Sequence, residues 1–331
     1  MTNKKRAPRS FAKEPFYPRF PKKIIIPNYY HFYVKHMIEH KADYDYRGMV
    51  HTLNRYTVNL LQNSHQSLTE VAKNWRTTMD STLYDFSFFR KIDAHSHIGS
   101  FGSPFNVDFN AELLSKQMDE YNIEKTILCP AGAHLNEELN SAWHTMPERV
   151  LPLCWVNANL GKQSYDMLEH YLRDEGFAGV KMQPLFDAFT ADSPMVDPIM
   201  DIAQAYDKPV FIHCGHPPFS LPWQIGLLAE RHPHVPTVMI HMGHGHGVYI
   251  EGSINMAKKY DNLFLEVSGM PMGCQIKNAY ESVGSERVMF GIDSPFHHPS
   301  VEIQRVLSCG LSAKSLEDIF YNNAVKFMKL D

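Results

Sequence analysis

The stretch KIDAHSHIGS, from Lys91 to Ser100, reads as a short β-strand carrying two histidines one residue apart. Successive side chains of a strand point to opposite faces, so Asp93, His95 and His97 are expected to project together while Ile92, Ala94, Ser96 and Ile98 face the other way. Two imidazoles side by side in an interior call for a partner. A divalent metal is the commonest one, because neutral imidazole is a good ligand and coordination satisfies a ring that is costly to desolvate.

Outward from this strand the pattern repeats. From Lys91 onward, short apolar runs rich in β-branched residues alternate with longer segments of helical period. The strand candidates are KIDAHSHI, KTILCP from Lys125, VLPLCWVN from Val150, GVKMQP from Gly179, PVFIHCG from Pro209, PTVMIHMG from Pro236, LFLEVSG from Leu263 and VMFGIDS from Val288. Amphipathic segments such as AELLSKQMDEY, SYDMLEHYLRDE, MVDPIMDIAQAYD and IGLLAERH lie between them, and VEIQRVLSCG and AKSLEDIFYNNAVKFMKL follow the last. Eight strands each followed by a helix specify an α/β fold, the (β/α)8 TIM barrel, over residues 91–331.

Residues 1–90 do not fit that alternation. A basic leader, MTNKKRAPRSFAKEPFYPRFPKK, precedes aromatic-rich NYYHFYVKHMIEH, then Met49, Leu53, Tyr56 and Leu60 at helical spacing and QSLTEVAKNW. These predict an N-terminal helical extension that covers the barrel's flank or its N-terminal face, or binds a second copy of the chain in a homo-oligomer. A lid that brings Tyr or His residues to the active site is the sharper alternative.

The bulk numbers bound the class. With 331 residues, 44% hydrophobic and 21% charged, the chain can bury a full core. A net charge of −4 argues against a nucleic-acid-binding surface and for small-molecule chemistry. Cys129, Cys154, Cys214, Cys274 and Cys309 are well separated and form no Cys-x-x-Cys pair. Neither a disulfide framework nor a thiolate zinc site is indicated. The leader has no apolar core segment and no later apolar run approaches membrane-spanning length, so a cytoplasmic protein without membrane contact is expected.

Barrel enzymes build their sites at the C-terminal ends of the strands. His95 and His97 close the first strand, Lys181 and Gln183 the fourth, His213 the fifth, His241 the sixth and Asp293 the eighth. Phe211, Met239 and Gly291, two residues before the last three, are expected as their inward neighbours. Alone, each polar residue would read as a hydrogen-bonded core histidine or a helix cap. Four histidines and a carboxylate at one end of one barrel read jointly as a mononuclear or binuclear divalent metal site.

The motifs DAHSHIG, GVKMQP, VFIHCGHP, VMIHMGHG and RVMFGIDSPF, in that order and on those strands, resemble the metal-dependent amidohydrolase superfamily over about residues 91–329. Within it they most resemble the amidohydrolase-related branch that includes aminocarboxymuconate semialdehyde decarboxylase, resorcylate decarboxylases and dicarboxylate lactonases. The resemblance implies that His95, His97 and His213 are metal ligands and that Asp293 is both ligand and proton acceptor. It implies that His241 either binds metal or acts on the substrate. In binuclear members a lysine at the position of Lys181 takes up CO2 as a carbamate that bridges two metals. The single-metal branch dispenses with that bridge, so one divalent ion and a neutral or substrate-facing Lys181 are expected.

His and carboxylate ligands suit Zn²⁺ first, with Mn²⁺, Fe²⁺ and Ni²⁺ fitting the same donors. Such an ion lowers the pKa of a bound water from ~15.7 toward ~7 and polarises a carbonyl. Asp293 would take the proton, and His241, if not a ligand, would donate to a developing oxyanion. The expected activity is hydrolysis of a C–N or C–O bond in an amide- or lactone-type small molecule. Non-oxidative decarboxylation of an aromatic or vinylogous acid is the alternative. Phe101, Phe105, Phe219, Trp223 and Met272 in the strand-end loops suggest a partly apolar cavity, or packing. His216, His244, His246, His297 and His298 read as supporting or solvent-facing groups.

Overall fold

The computed structural model describes residues 86–330. All eight predicted strands form, as β1 (Lys91–Phe101), β3 (Ile123–Pro130), β4 (Val150–Trp155), β5 (Gly179–Met182), β6 (Val210–His213), β7 (Thr237–Ile240), β8 (Leu263–Glu266) and β9 (Val288–Met289). A short strand missing from the sequence reading, β2 (Val107–Phe109), pairs antiparallel with the end of β1. Three residues are too few to show a period. The remaining neighbours pair parallel, from β1 through β3 to β9 in chain order.

The two ends of this sheet meet. Ala94 donates its N–H to the carbonyl of Phe290 (2.9 Å), Asp293 to that of His95 (2.6 Å) and His97 to that of Ser294 (2.7 Å). The segment after β9 thus closes the barrel against β1, as the TIM-barrel expectation requires.

Helices follow the strands: α1 (Ala111–Glu120), α2 (Asn136–Thr145), α3 (Lys162–Arg173), the single turn α4 (Pro184–Asp187), α5 (Asp197–Ala205), α6 (Pro222–Arg231), α7 (Gly247–Lys259), α8 (Gly273–Val283) and α9 (Pro299–Leu307). The C-terminal run predicted as one helix is divided into α10 (Ala313–Glu317), a π-helical turn over Asp318–Asn322, and α11 (Asn323–Phe327). Within that turn the Ile319 carbonyl accepts from the N–H of Phe290 rather than serving the helix alone.

An inner cluster of Ile92, Ala94, Ile127, Leu153, Phe211, Val238, Ile240 and Met289 fills the barrel, with Val325, Phe327, Met328 and Leu330 packed against it. Two face assignments from the sequence are corrected by it. On β1, Asp93 stands opposite Thr126 but Ser96 opposite Leu128, so one extra residue is accommodated as a bulge. Ile92 and Ala94 therefore line the interior below His95 and His97, and Asp93 turns to the other face with Ser96. On β7 the inward residues are Val238 and Ile240, while Met239 joins the outer core. His241 follows Ile240 inward because its backbone takes the left-handed conformation, φ 66°.

Of the helical extension expected over residues 1–90, residues 1–85 lie outside the described residues. Phe86 and Phe89 pack on the outer core, and their carbonyls accept from the buried ammonium of Lys91 at 2.5 and 2.6 Å. Among the described residues no helix is long and apolar enough to cross a membrane.

Candidate metal centre

Asp93 sets the frame from outside the site. One carboxyl oxygen accepts from the N–H groups of His95 (3.1 Å) and Ile292 (2.9 Å), the other from the hydroxyls of Ser96 (2.5 Å) and Thr126 (3.1 Å). This one side chain ties β1 to β3 and to the segment that carries Asp293. Burial raises its pKa to about 7 against the pull of those four donors.

Inside the mouth, Oδ1 of Asp293 lies 3.3 Å from Nε2 of His95 and 3.5 Å from Nε2 of His97. The Lys181 ammonium nitrogen is 3.4 Å from the same His95 Nε2. The ligand atoms of His95, His97 and Asp293 all fall within 4.8 Å of one another. Atoms bound tetrahedrally at about 2.1 Å from one ion stand about 3.4 Å apart, so the observed separations are those of a ligand shell.

Hydrogen bonding fixes two of the imidazoles for such a role. His97 Nδ1 faces the Pro130 carbonyl at 3.1 Å, and His241 Nδ1 faces the Ser268 carbonyl at 3.0 Å. A carbonyl only accepts, so each Nδ1 carries the proton and each Nε2 keeps its lone pair. The His241 Nε2 is 3.9 Å from Oδ2 of Asp293. Asp293, like His241, has a left-handed backbone, φ 62°, a conformation that costs about 1–3 kcal/mol and clusters at functional positions.

Burial dominates the electrostatics. It holds His95 and His241 well below the usual imidazole range and His97 at about 3, with Lys181 pressing the same way. These rings are neutral, as ligands must be. Burial also lowers the Lys181 pKa and raises that of Asp293, where Lys181 opposes the shift and Glu266 and Asp93 add to it.

His213 is placed differently from its neighbours. Its Nε2 lies 2.7 Å from Nδ1 of His216, and with His244 these form a second trio whose ligand atoms lie within 4.8 Å of one another. The His241 ring is between the two groups, with its centroid 5.2 Å from His95, 4.7 Å from His213 and 4.5 Å from His244, on which it stacks. His246 and His298 accept from the first-turn N–H groups of α7 and α9, so they are helix caps. His297 lies 3.2 Å from Glu302.

Several contributors went unread in the sequence. Glu266, at the end of β8, is fully buried and accepts from the N–H of His241 (3.1 Å), from the Ser268 hydroxyl (2.8 Å) and from the Ser268 N–H. Burial raises its pKa to about 8. A lone carboxylate in the apolar run LFLEVSG was the available signal. Trp155, at the end of β4, donates from Nε1 to Asp187 (2.8 Å), whose pKa burial lifts to about 6.

Around His97 the aromatic rings make a closed circuit. Centroids of His97 and Phe101 are 5.9 Å apart, Phe101 and Phe296 4.8 Å, Phe296 and Phe105 4.8 Å. Phe105 and Phe186 follow at 6.1 Å, Phe186 and Trp155 at 6.5 Å, and Trp155 and His97 at 5.9 Å. Phe105 and Phe186 are 46% and 52% exposed, so the circuit opens to solvent on that side. Phe101 and Phe105 stand in it as the sequence suggested. Trp223 instead meets Tyr249 edge-on at 6.1 Å.

A closed (β/α)8 barrel with imidazoles and a carboxylate gathered at the carboxyl ends of its strands defines a barrel enzyme with a candidate metal centre. The amidohydrolase family model matches residues 102–330, and the chain belongs to that family. The match begins just past His97, so the paired histidines of β1 lie outside it. No curated protein matches the sequence. Among solved structures, an uncharacterised TIM-barrel protein from Bordetella bronchiseptica is similar at TM-score 0.62 and 16% identity, over 73% of this chain and 99% of that one. A 2,6-dihydroxybenzoate decarboxylase from Rhizobium is similar at 0.59 and 17%, over 74% and 100%. A 5-carboxyvanillate decarboxylase from Novosphingobium aromaticivorans, complexed with manganese and 4-hydroxy-3-methoxy-5-nitrobenzoic acid, is similar at 0.60 and 16%, over 74% and 97%.

Proposed function

We propose that this enzyme is a metal-dependent decarboxylase of an aromatic carboxylic acid. The observation that carries the reading is the circuit of His97, Phe101, Phe296, Phe105, Phe186 and Trp155, open to solvent at two of its rings. Offset and edge-on contacts with such rings favour a planar aromatic substrate over an aliphatic amide or lactone. The decarboxylases among the structural neighbours support this reading ahead of the hydrolytic one that the polar residues alone put first.

His95, His97 and Asp293 would hold one divalent ion, with His241 at its edge and Lys181 as a neutral amine. Manganese in the carboxyvanillate enzyme supports a divalent ion without deciding between Mn²⁺ and Zn²⁺ here. When bound, the ion supplies positive charge that orients and polarises the substrate's oxygens. Asp293 would move the proton, since its two oxygens face different neighbours, Oδ1 the His95 and His97 pair and Oδ2 His241, which leaves Oδ2 to carry a proton while Oδ1 stays with the ligands. The proton goes to the ring carbon that bears the carboxylate. The bond to the carboxylate carbon then breaks, its electron pair restores the ring, CO2 leaves, and Asp293 regains a proton from solvent. The Ser268 carbonyl and hydroxyl hold the His241 Nδ1 and so its tautomer, while Glu266 accepts from the Ser268 hydroxyl and from the His241 backbone N–H and keeps both in place.

Turnover of a panel of hydroxybenzoates, lactones and amides by Mn²⁺- and Zn²⁺-loaded enzyme, with CO2 and hydrolysis products both measured, tests this. CO2 release from a hydroxybenzoate is expected. Hydrolysis of a lactone or amide with no CO2 from any acid would restore the hydrolytic reading.

A further inference from the structure

We propose that Gln183 and Asp187 form a substrate-recognition pair on the β5 side of the mouth, selecting an acid whose ring carries a hydrogen-bond donor there and rejecting one that carries a second carboxylate. The proposal rests on reading the site as that of an aromatic-acid decarboxylase.

Gln183 directly follows β5 and keeps the strand's parity. Val180 and Met182 join the outer core, Lys181 turns inward to within 3.4 Å of His95, and Gln183 stands on that inward face one step nearer the opening. It is 3% exposed, and its Oε1 is buried with no hydrogen-bond partner among the described residues. A buried acceptor without a donor is costly, and one kept at the mouth of a site suits a group that arrives with the substrate.

The single turn α4 sets Asp187 beside it, with the Asp187 N–H donating to the Gln183 carbonyl at 3.1 Å. Two contacts pin this turn to Trp155: Phe186 lies nearly parallel to the indole, at 16°, and Asp187 Oδ2 accepts from the indole N–H at 2.8 Å. Asp187 is half-buried, and its Oδ1 takes part in no hydrogen bond among the described residues, so that oxygen is left for a ligand.

The indole sets the distance. Its ring lies 5.9 Å from that of His97 and 5.8 Å from the Lys181 amine nitrogen, while its N–H edge meets Asp187. An acid whose carboxylate meets the centre spans the same interval and presents carbon 4 or 5 of its ring to Asp187. An ionised carboxylate only accepts, and Gln183 Oε1 accepts as well, so a phenolic hydroxyl suits either. A second carboxylate would meet the Asp187 charge where water screens it poorly, and the aromatic circuit contains no arginine to offset it.

Isothermal titration calorimetry of the Mn²⁺-loaded full chain at pH 8, where Asp187 is ionised, tests the pair, with CO2 release followed in parallel. The probes are 2-hydroxybenzoate, 2,4- and 2,5-dihydroxybenzoate, and their counterparts with a carboxylate in place of the second hydroxyl, 2-hydroxyterephthalate and 4-hydroxyisophthalate. At least one dihydroxybenzoate is expected to bind ten-fold or more tighter than 2-hydroxybenzoate, and its dicarboxylate counterpart weaker than 2-hydroxybenzoate. Asp187→Asn keeps an acceptor for Trp155 and removes the charge, so that dicarboxylate should gain ten-fold or more. Gln183→Met, of similar length without polar atoms, should cut the advantage of the second hydroxyl to within three-fold. Unchanged Mn²⁺ content shows that a variant is folded. Dicarboxylates that bind the unsubstituted protein as tightly as the dihydroxy acids overturn the proposal whatever the variants do. So does a pattern that neither substitution moves. Selective binding without CO2 from any acid removes the decarboxylase reading and leaves the pair, CO2 release indifferent to the second substituent removes the pair and leaves the reading, and absence of binding by all five probes overturns both.

Discussion

A Cβ on Gly291 would lie 2.8 Å from the carboxyl carbon of Glu266. The strand that delivers Asp293 thus leaves room for the carboxylate that orients His241, and no other residue type at 291 does so. Gly291→Ala is expected to cost about 1–3 kcal/mol in urea unfolding, the range for overpacking a filled interior. Its turnover should fall further than that loss of stability explains, because Glu266 must move. Activity that stays within two-fold of the unsubstituted enzyme would separate Glu266 from the working of the site.

Glu266 also gives a signed pH dependence. Burial raises its pKa from 4.5 to about 8, so the folded chain binds that proton more tightly than the unfolded chain. Its contribution to stability is complete below pH 4.5 and is lost as pH rises through 8, at no more than about 1.4 kcal/mol per pH unit. Metal-free protein should therefore lose stability relative to Glu266→Gln as pH rises from 5 to 8. Parallel denaturation midpoints across that window would refute the shift.

At the closing seam, Asp93→Ala leaves the buried N–H groups of His95 and Ile292 without their acceptor. A loss of roughly 2–4 kcal/mol is expected, with Asp93→Asn milder because one carbonyl oxygen remains to accept. Chemical denaturation at pH 6 measures both.

Lys181 is expected to act as a neutral amine. Mn²⁺ titration followed by electron paramagnetic resonance should give the same stoichiometry and affinity with and without bicarbonate, and Lys181→Met should keep the Mn²⁺ within about three-fold in affinity. A bicarbonate-dependent equivalent that vanishes in Lys181→Met would identify a carbamate.

Asp293→Asn should reduce CO2 release by about 10²–10⁴-fold, the usual scale for a lost proton donor, and weaken Mn²⁺ binding in the same preparation.

The alternation of apolar runs with helical segments made the eight parallel strands and their polar ends legible in the sequence. What strict alternation could not show was where it is broken. The bulge after Asp93 and the left-handed turn at His241 each let consecutive residues face inward, and neither has a sequence period. The grouping of His213 with His216 and His244 was equally hidden, because it depends on two loops from different strands packing through Gly215 and Gly243. Glu266 escaped because a single acid within an apolar run resembles an interruption more than a site.

The barrel seam gives the centre a place in time. His95 and His97 come from the first strand and Asp293 from the segment after the last, and backbone hydrogen bonds between those two segments are what set them side by side. A chain emerging from the ribosome presents the paired imidazoles early and must wait for nearly all the rest of the domain before the carboxylate arrives. An ion held by all three residues would therefore be captured only by chains whose barrel has already shut, and truncation anywhere before Asp293 would abolish that capture even where most strands have formed.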